Sequence, residues 1–311
     1  MYDVIIVGGG PGGMSALLWC QRLGLKSILL ERKTNLGGQL FKINNPVIDY
    51  LGIPATNGRD LHQHFVKHLS AMNGQYACGV EVQDFFLMQR RLLTNKGEYR
   101  ARSIILALGS QDRKLCVPGE AEMITREEVY SASRDKQLFR GEAVAVIGGG
   151  DRALEGALLL ADHGANVTLI HHSEHFRARG EYLHPASKHP MIRILSNSVV
   201  KEIIGSDRVT GVLVETGRLK QTIPVKAVFV RIGIEPSSET LNGQVEMYED
   251  GYVQTNWSGE TSITNVFAVG DLCTRPLFSC IAYSAAQGMV AAKTISQRIG
   301  TAAKSMLNDD V

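Results

Sequence analysis

A short apolar strand that runs into a glycine-rich turn is written twice in this chain, 140 residues apart, and few architectures accommodate that repetition. The first copy is Asp3-Val4-Ile5-Ile6-Val7 followed by Gly8-Gly9-Gly10-Pro11-Gly12-Gly13. The second is Ala143-Val144-Ala145-Val146-Ile147 followed by Gly148-Gly149-Gly150-Asp151-Arg152-Ala153. An amphipathic stretch follows each turn, Met14 to Leu23 and Leu154 to His163, so each copy can bring a helix N-terminus up to a pyrophosphate. Gly8, Gly10, Pro11 and Gly13 are therefore candidates for one phosphate cradle, and Gly148, Gly150, Asp151 and Arg152 for a second.

Flanking residues sharpen this reading. The strand Ser27-Ile28-Leu29-Leu30 ends in Glu31, 23 residues beyond Gly8, where a carboxylate can accept hydrogen bonds from ribose hydroxyls. The same offset from Gly148 falls on His171, after Val167-Thr168-Leu169-Ile170. No acidic ribose hook stands there, and Glu174 lies among His171, His172, His175, Arg177 and Arg179. His171 and Arg177 are kept as candidate contacts for a second dinucleotide whose identity this pattern leaves open.

Composition excludes several classes. A formal charge of +2 over 311 residues points neither to nucleic acid nor to a strongly acidic partner. No stretch approaches the 18 or so apolar residues of a membrane span, and the first strand starts at residue 3, which leaves no room for a signal peptide and argues for the cytoplasm. Association with a membrane surface stays open. The five cysteines, Cys20, Cys78, Cys116, Cys273 and Cys280, are too scattered for a secreted disulfide framework and contain no metal-type CxxC. His64 and His68 have i,i+4 spacing without a third ligand nearby, so they are read as solvated helix residues and no metal is expected.

Turn-rich junctions at Val117-Pro118-Gly119-Glu120 and Leu241-Asn242-Gly243 bracket the second fingerprint. Residues 1–116 and 243–311 are assigned to one domain and 117–242 to a second inserted in it. Two buried strands, Ser103 to Gly109 and Asn265 to Asp271, belong to the first. A last helix starts near Ser279, carries Ile281, Ala285, Gly288, Met289, Ala292 and Ile295 on one face, and gives way after Gly300 to a tail expected to fray. The fold class is α/β, with two Rossmann-like dinucleotide-binding domains.

With these residues in place the chain resembles the thioredoxin-reductase-like flavoproteins over essentially its whole length. The resemblance is carried by Gly8 to Gly13 with Glu31, by Gly37-Gly38-Gln39-Leu40, by Ala107-Leu108-Gly109 ahead of Val117-Pro118-Gly119, and by Gly270-Asp271. It implies that the N-terminal set binds FAD, with Asp271 accepting from the flavin ribityl chain. Gly38, Gln39, Asp49, Ala107, Gly109, Gly270 and Ile281 join the candidate FAD contacts. It also implies a homodimer.

Three departures set this chain apart from that family. The Cys-Ala-Thr-Cys run of thioredoxin reductases is replaced by Ser131-Ala132-Ser133-Arg134, which cannot exchange disulfides. The His-Arg-Arg-x-x-x-Arg run that holds an NADPH 2′-phosphate is here His171-His172-Ser173-Glu174-His175-Phe176-Arg177, with two guanidinium groups lost and a carboxylate added. Beside the flavin, Arg-Gln-Ala becomes Ser279-Cys280-Ile281, after a loop carrying Cys273. Cys280, in the first turn of the last helix with Ser279 as the expected N-cap, has a thiolate favoured by the helix dipole. Cys273 and Cys280 are therefore candidate catalytic residues, a redox pair beside the flavin; the alternative is two unrelated buried thiols. Together the departures resemble the diflavin-linked disulfide oxidoreductases, which hold a second FAD where NADPH would bind.

The leading expectation is an FAD-dependent enzyme exchanging electrons between the Cys273/Cys280 pair and FAD, with a second FAD or NAD(P)H in the repeat domain. Its partner would be a thiol/disulfide protein or a small dithiol. A ferredoxin- or flavodoxin-NAD(P)H reductase without a redox dithiol is the alternative enzyme. A non-catalytic, redox-sensing flavoprotein is the alternative from another class.

Overall fold

Strict alternation along a strand gives one sheet two apolar faces, and β1 (Tyr2–Val7) shows the result. Val4 and Ile6 enter one buried cluster, Ile5 and Val7 another. The computed structural model describes the backbone of residues 1–308 and the side chains of residues 1–300. It divides the chain into two compact units, Met1–Gln111 with Glu235–Val311, and Asp112–Ile234.

In the first unit β1 is followed by α1 (Pro11–Arg22), β2 (Ser27–Glu31), α2 (Gly58–Ala71), β3 (Tyr76–Cys78), β4 (Val82–Phe86), β5 (Arg91–Thr94), β6 (Gly97–Leu106) and β7 (Ser110–Asp112). Strands β3, β2, β1 and β6 are parallel neighbours, and β5 and β4 extend the sheet antiparallel from the first half of β6. Pro11 opens α1, where its missing N–H has no intrahelical partner to lose. A Cβ on Gly8 (φ 106) would lie 2.2 Å from Ala107 O, and one on Gly13 1.9 Å from Gly8 O. Only glycine lets strand, turn and helix close this tightly.

The second unit contains α3 (Glu120–Thr125), α4 (Ala132–Asp135), β8 (Ala143–Ile147), α5 (Asp151–Ala161), β9 (Asn166–Ile170), α6 (Gly180–Lys188) and β10 (Ile192–Leu195). A meander of β11 (Ser198–Ile204), β12 (Gly211–Thr216) and β13 (Leu219–Pro224) precedes β14 (Ala227–Val230). Its central sheet is parallel in the order β10-β9-β8-β14. The chain leaves the first unit within β7 and returns within β15 (Ile234–Pro236).

These crossings differ from the expected boundaries at 116/117 and 242/243. The turn around Pro118 is docked inside the second unit, with Pro118 O accepting the Ile203 N–H at 2.9 Å. Leu241 is fully buried in a cluster of the first unit with Leu87 and Val245. Turn composition marked loops within each unit instead of the passages between them.

Back in the first unit, β16 (Val266–Ala268) pairs with the second half of β6 and completes a seven-stranded sheet. The final helix, α7 (Ile281–Asn308), starts two residues later than expected and runs past Gly300; residues 309–311 of the expected fraying tail lie outside the described residues. It packs on α1 so closely that a Cβ on Gly288 would stand 2.1 Å from Gly12 O. Ser15 Oγ donates to Ala285 O at 2.6 Å across the same contact. Ala291, Ala292 and Ile295 join Leu17 in the cluster beneath. Among the described residues no helix is long and apolar enough to cross a membrane.

Candidate functional site

At the C-terminal edge of β1 the first glycine turn leaves one side open: a Cβ on Gly10 would meet nothing within 4 Å, although its neighbours are crowded. An open glycine before a helix N-terminus is the space a pyrophosphate needs. Glu31, 6% exposed, braces the turn, with Oε2 accepting from Gly9 N at 2.7 Å and Oε1 from Lys33 N at 2.8 Å. Each oxygen keeps further acceptor capacity for a ribose hydroxyl.

A second polar centre forms around Asp271, which follows β16. Gln39 Nε2 donates to Asp271 Oδ2 at 3.1 Å and to Ser110 Oγ at 2.6 Å, and Ser110 Oγ donates to the same Oδ2 at 3.0 Å. Ser279 Oγ donates to Oδ1. The Gly37-Gly38 turn (φ 126 and 54) delivers Gln39, and Gly38 packs 3.1 Å, measured from its absent Cβ, from Gly10 Cα. Gly109 (φ 70) turns the chain toward Ser110, with its carbonyl accepting Ser237 N at 2.9 Å. Gly270 N donates to Gln287 Oε1 of α7 at 2.8 Å. Asp49 is exposed on the loop between Val47 and Ala55 and is not among the groups gathered at Asp271. Ser110, Ser279 and Gln287 were missed as site residues, because their roles arise from contacts far apart in sequence.

All five cysteines are free thiols, and the two beside Asp271 differ. Cys280 is exposed and occupies the N-cap of α7 itself, its Sγ accepting Tyr283 N at 3.3 Å. Ser279, the expected cap, is turned to Asp271 instead, and the cap falls one residue later. Cys273 Sγ lies against Ala268 O (3.3 Å), Gly270 O (3.5 Å) and Gln287 Nε2 (3.7 Å). Burial pushes its pKa from 9.0 up to about 11. Gln287 lies seven residues beyond Cys280 on α7, and no disulfide joins Cys273 to Cys280. Ile281 is the first residue of α7 and half-buried against the α1 cluster.

The second fingerprint repeats the first with different chemistry. Gly148 (φ 145) is pressed against Arg231 O, and Gly150 is open like Gly10. Where Glu31 braces Gly9, His171 covers Gly149: a Cβ there would fall 2.2 to 2.4 Å from three ring atoms. The ring is 4% exposed, its Nε2 is bonded with Ser173 Oγ at 2.9 Å, and its Nδ1 has no partner. Burial lowers its pKa. Asp151, at the first position of α5, accepts from Arg179 N and Nε, both at 2.7 Å, and these bonds hold its carboxyl below the usual range. Arg152 Nη1 pairs with Asp112 at 3.2 Å. Arg177 donates its backbone N–H to Gly149 O at 2.9 Å and leaves its side chain exposed.

The stretch that would carry a dithiol is a capped turn here. Ser131 N donates to Asp135 Oδ2 at 2.8 Å, and Arg134 clasps Asp135 through Nε and Nη2, both at 2.7 Å.

The profile of the pyridine nucleotide-disulphide oxidoreductases matches residues 2–302. The chain belongs to that family. It is a flavoprotein oxidoreductase of thioredoxin-reductase type, as its relatives show. It is 30% identical to a thioredoxin reductase of Bacillus subtilis, covering 96% of this chain and 95% of that protein. An NADH dehydrogenase of the same organism is 32% identical over 94% of this chain and 57% of its own length. The crystal structure of Lactococcus lactis thioredoxin reductase superposes with a TM-score of 0.83 at 31% identity, covering 96% of this chain and 98% of that one. Ser131 to Arg134, the stretch matching the dithiol run of thioredoxin reductases, hold no thiol.

Proposed function

We propose that this oxidoreductase holds FAD on its first unit and exchanges electrons with thiol substrates at Cys280. The carrying observation is the position of Cys280. It is an exposed sulfur at the N-terminus of a 28-residue helix, taking the Tyr283 N–H and following directly on Ser279, which bonds Asp271. Gly8 to Gly13 would receive the pyrophosphate, Glu31 the adenosine ribose and Asp271, oriented by Gln39 and Ser110, a ribityl hydroxyl. Bound FAD supplies a two-electron acceptor; oxidation of two thiols to a disulfide delivers two electrons and releases two protons, and the reverse reaction consumes them.

In this reading Cys273 carries its proton at neutral pH and is the candidate internal partner of Cys280. The second unit takes a dinucleotide without a 2′-phosphate, since His172 and Ser173 offer no guanidinium fork and Glu174 is exposed beside them. A second FAD is one such ligand, and counting FAD released per denatured chain decides it. The absence of a disulfide between the two thiols favours a second reading, a nicotinamide-driven flavin reductase that uses no dithiol.

Anaerobic dithiothreitol titration at the flavin band tests the proposal. Cys280→Ser should abolish dithiol-driven bleaching while retaining FAD. Loss in Cys273→Ser as well indicates an internal disulfide. Bleaching at the wild-type rate in both variants, with fast bleaching by NADH, overturns the thiol assignment and establishes the second reading.

A further inference from the structure

Beside the second glycine turn, two guanidinium groups feel the charge of one carboxylate, and only one of them pairs with it. Arg231 follows β14, and its carbonyl oxygen lies 2.2 Å from where a Cβ on Gly148 would stand, so the residue abuts the first glycine of the turn. Its side chain is half-buried, with Nη1 donating to Val230 O at 2.7 Å and Nη2 to Tyr130 O at 2.9 Å. Both partners are neutral carbonyls. Among the described residues Asp112, the one acid acting on Arg231, is already paired with Arg152, whose charge also repels Arg231. Asp151, the next carboxylate along the turn, is held by Arg179. A cation withdrawn from water without a counter-ion of its own is costly, and that cost falls when an anion arrives.

Strand order says which anion. In an open parallel sheet a dinucleotide lies across the strand ends at the point where connections leave in opposite directions, which in the order β10-β9-β8-β14 is the gap between β8 and β14. His171 closes the end of β9 over Gly149, the position corresponding to Glu31 over Gly9. The adenosine half therefore falls on the β9 side and the distal half on the β14 side, where Arg231 and Arg152 stand.

We propose that Arg231 is a specificity-determining residue of the second site, holding the distal phosphate of a dinucleotide pyrophosphate with Arg152 beside it. The inference rests on the reading of this unit as a dinucleotide site. It moves cationic recognition away from the 2′-position, where His172 and Ser173 provide none, to the pyrophosphate. A guanidinium can grip that phosphate through two N–H groups, and an ammonium in its place cannot.

The test titrates protein carrying one FAD per chain with AMP and with ADP-ribose by calorimetry. Wild type should bind both, ADP-ribose more tightly and with the steeper salt dependence. Arg231→Met should weaken ADP-ribose about ten- to a hundredfold and leave AMP, which lacks the distal phosphate, within twofold; Arg231→Lys should recover part of the loss. ADP-ribose affinity within twofold of wild type in Arg231→Met overturns the proposal. Equal loss of both ligands also overturns it, because it marks a residue that shapes the unit without touching phosphate. Wild type that binds neither ligand removes the dinucleotide reading itself, and the proposal with it.

Discussion

Asp271 receives donors from three separate segments, Gln39, Ser110 and Ser279, so its carboxylate is fixed before any ligand arrives. Preorganised acceptors form charge-assisted hydrogen bonds worth roughly 1.5–3 kcal/mol. Asp271→Ala should raise the FAD dissociation constant by about ten- to a hundredfold, read by fluorescence recovery of released flavin; unchanged retention would displace the ribityl role from this residue. The cysteines make a second residue-scale case. Folding raises the Cys273 pKa from 9.0 to about 11, which favours the neutral thiol in the native state. That stabilisation is intact below pH 9 and lost as pH climbs through 11. Cys273→Ala should therefore flatten the fall in stability between those limits, measured by urea midpoints. Alkylation at neutral pH followed by mass spectrometry should label exposed Cys280 and Cys116 well before Cys273 and Cys20, the latter pushed up to about 12 by burial; early labelling of Cys273 would contradict its packing.

Helix α7 shows how an element can place a site and hide the fact from sequence reading. Its contact with α1 depends on Gly288, whose missing side chain admits Gly12 O. Gly288→Ala should lower the thermal midpoint and loosen FAD, since α1 carries the glycine turn. Gly300→Ala, which meets nothing within 4 Å, should instead stabilise by up to about 1 kcal/mol. Opposite signs in a single calorimetric series would confirm the crossing; two similar shifts would not. The glycine turns and Glu31 were legible because short-range spacing encodes a strand, a turn and a strand end, whereas Asp271 was legible only through the Gly270-Asp271 motif of the family it resembles. Gln39 was legible through its family motif, but its partner Ser110 is 71 residues away and Asp271 232, and no local pattern reports such contacts. The cysteine pair shows the converse: only six residues lie between Cys273 and Cys280, yet their partners are non-local, Cys273 facing Gln287 and Cys280 sitting at the helix tip. Ser279 failed as a cap because a side chain beside a carboxylate has a stronger partner than a backbone amide.

At the scale of the molecule, two compact units with separate buried clusters predict two thermal transitions instead of one. A ligand at 100 times its dissociation constant stabilises the unit that binds it by about 2.7 kcal/mol. FAD should raise one transition and ADP-ribose the other, and Asp271→Ala should abolish only the first shift; a single transition answering both ligands would show that the units do not melt separately. The interleaved connectivity also orders events during synthesis. Asp112–Ile234 is one uninterrupted segment, so the second unit is complete as soon as that stretch clears the ribosome. The first unit must wait with β6 half-covered until β16 is translated, and Asp271 emerges only after it. A nascent chain halted before residue 266 would thus carry a finished nucleotide domain beside an open sheet edge, and flavin capture becomes a late, post-translational checkpoint on whether the whole message was read.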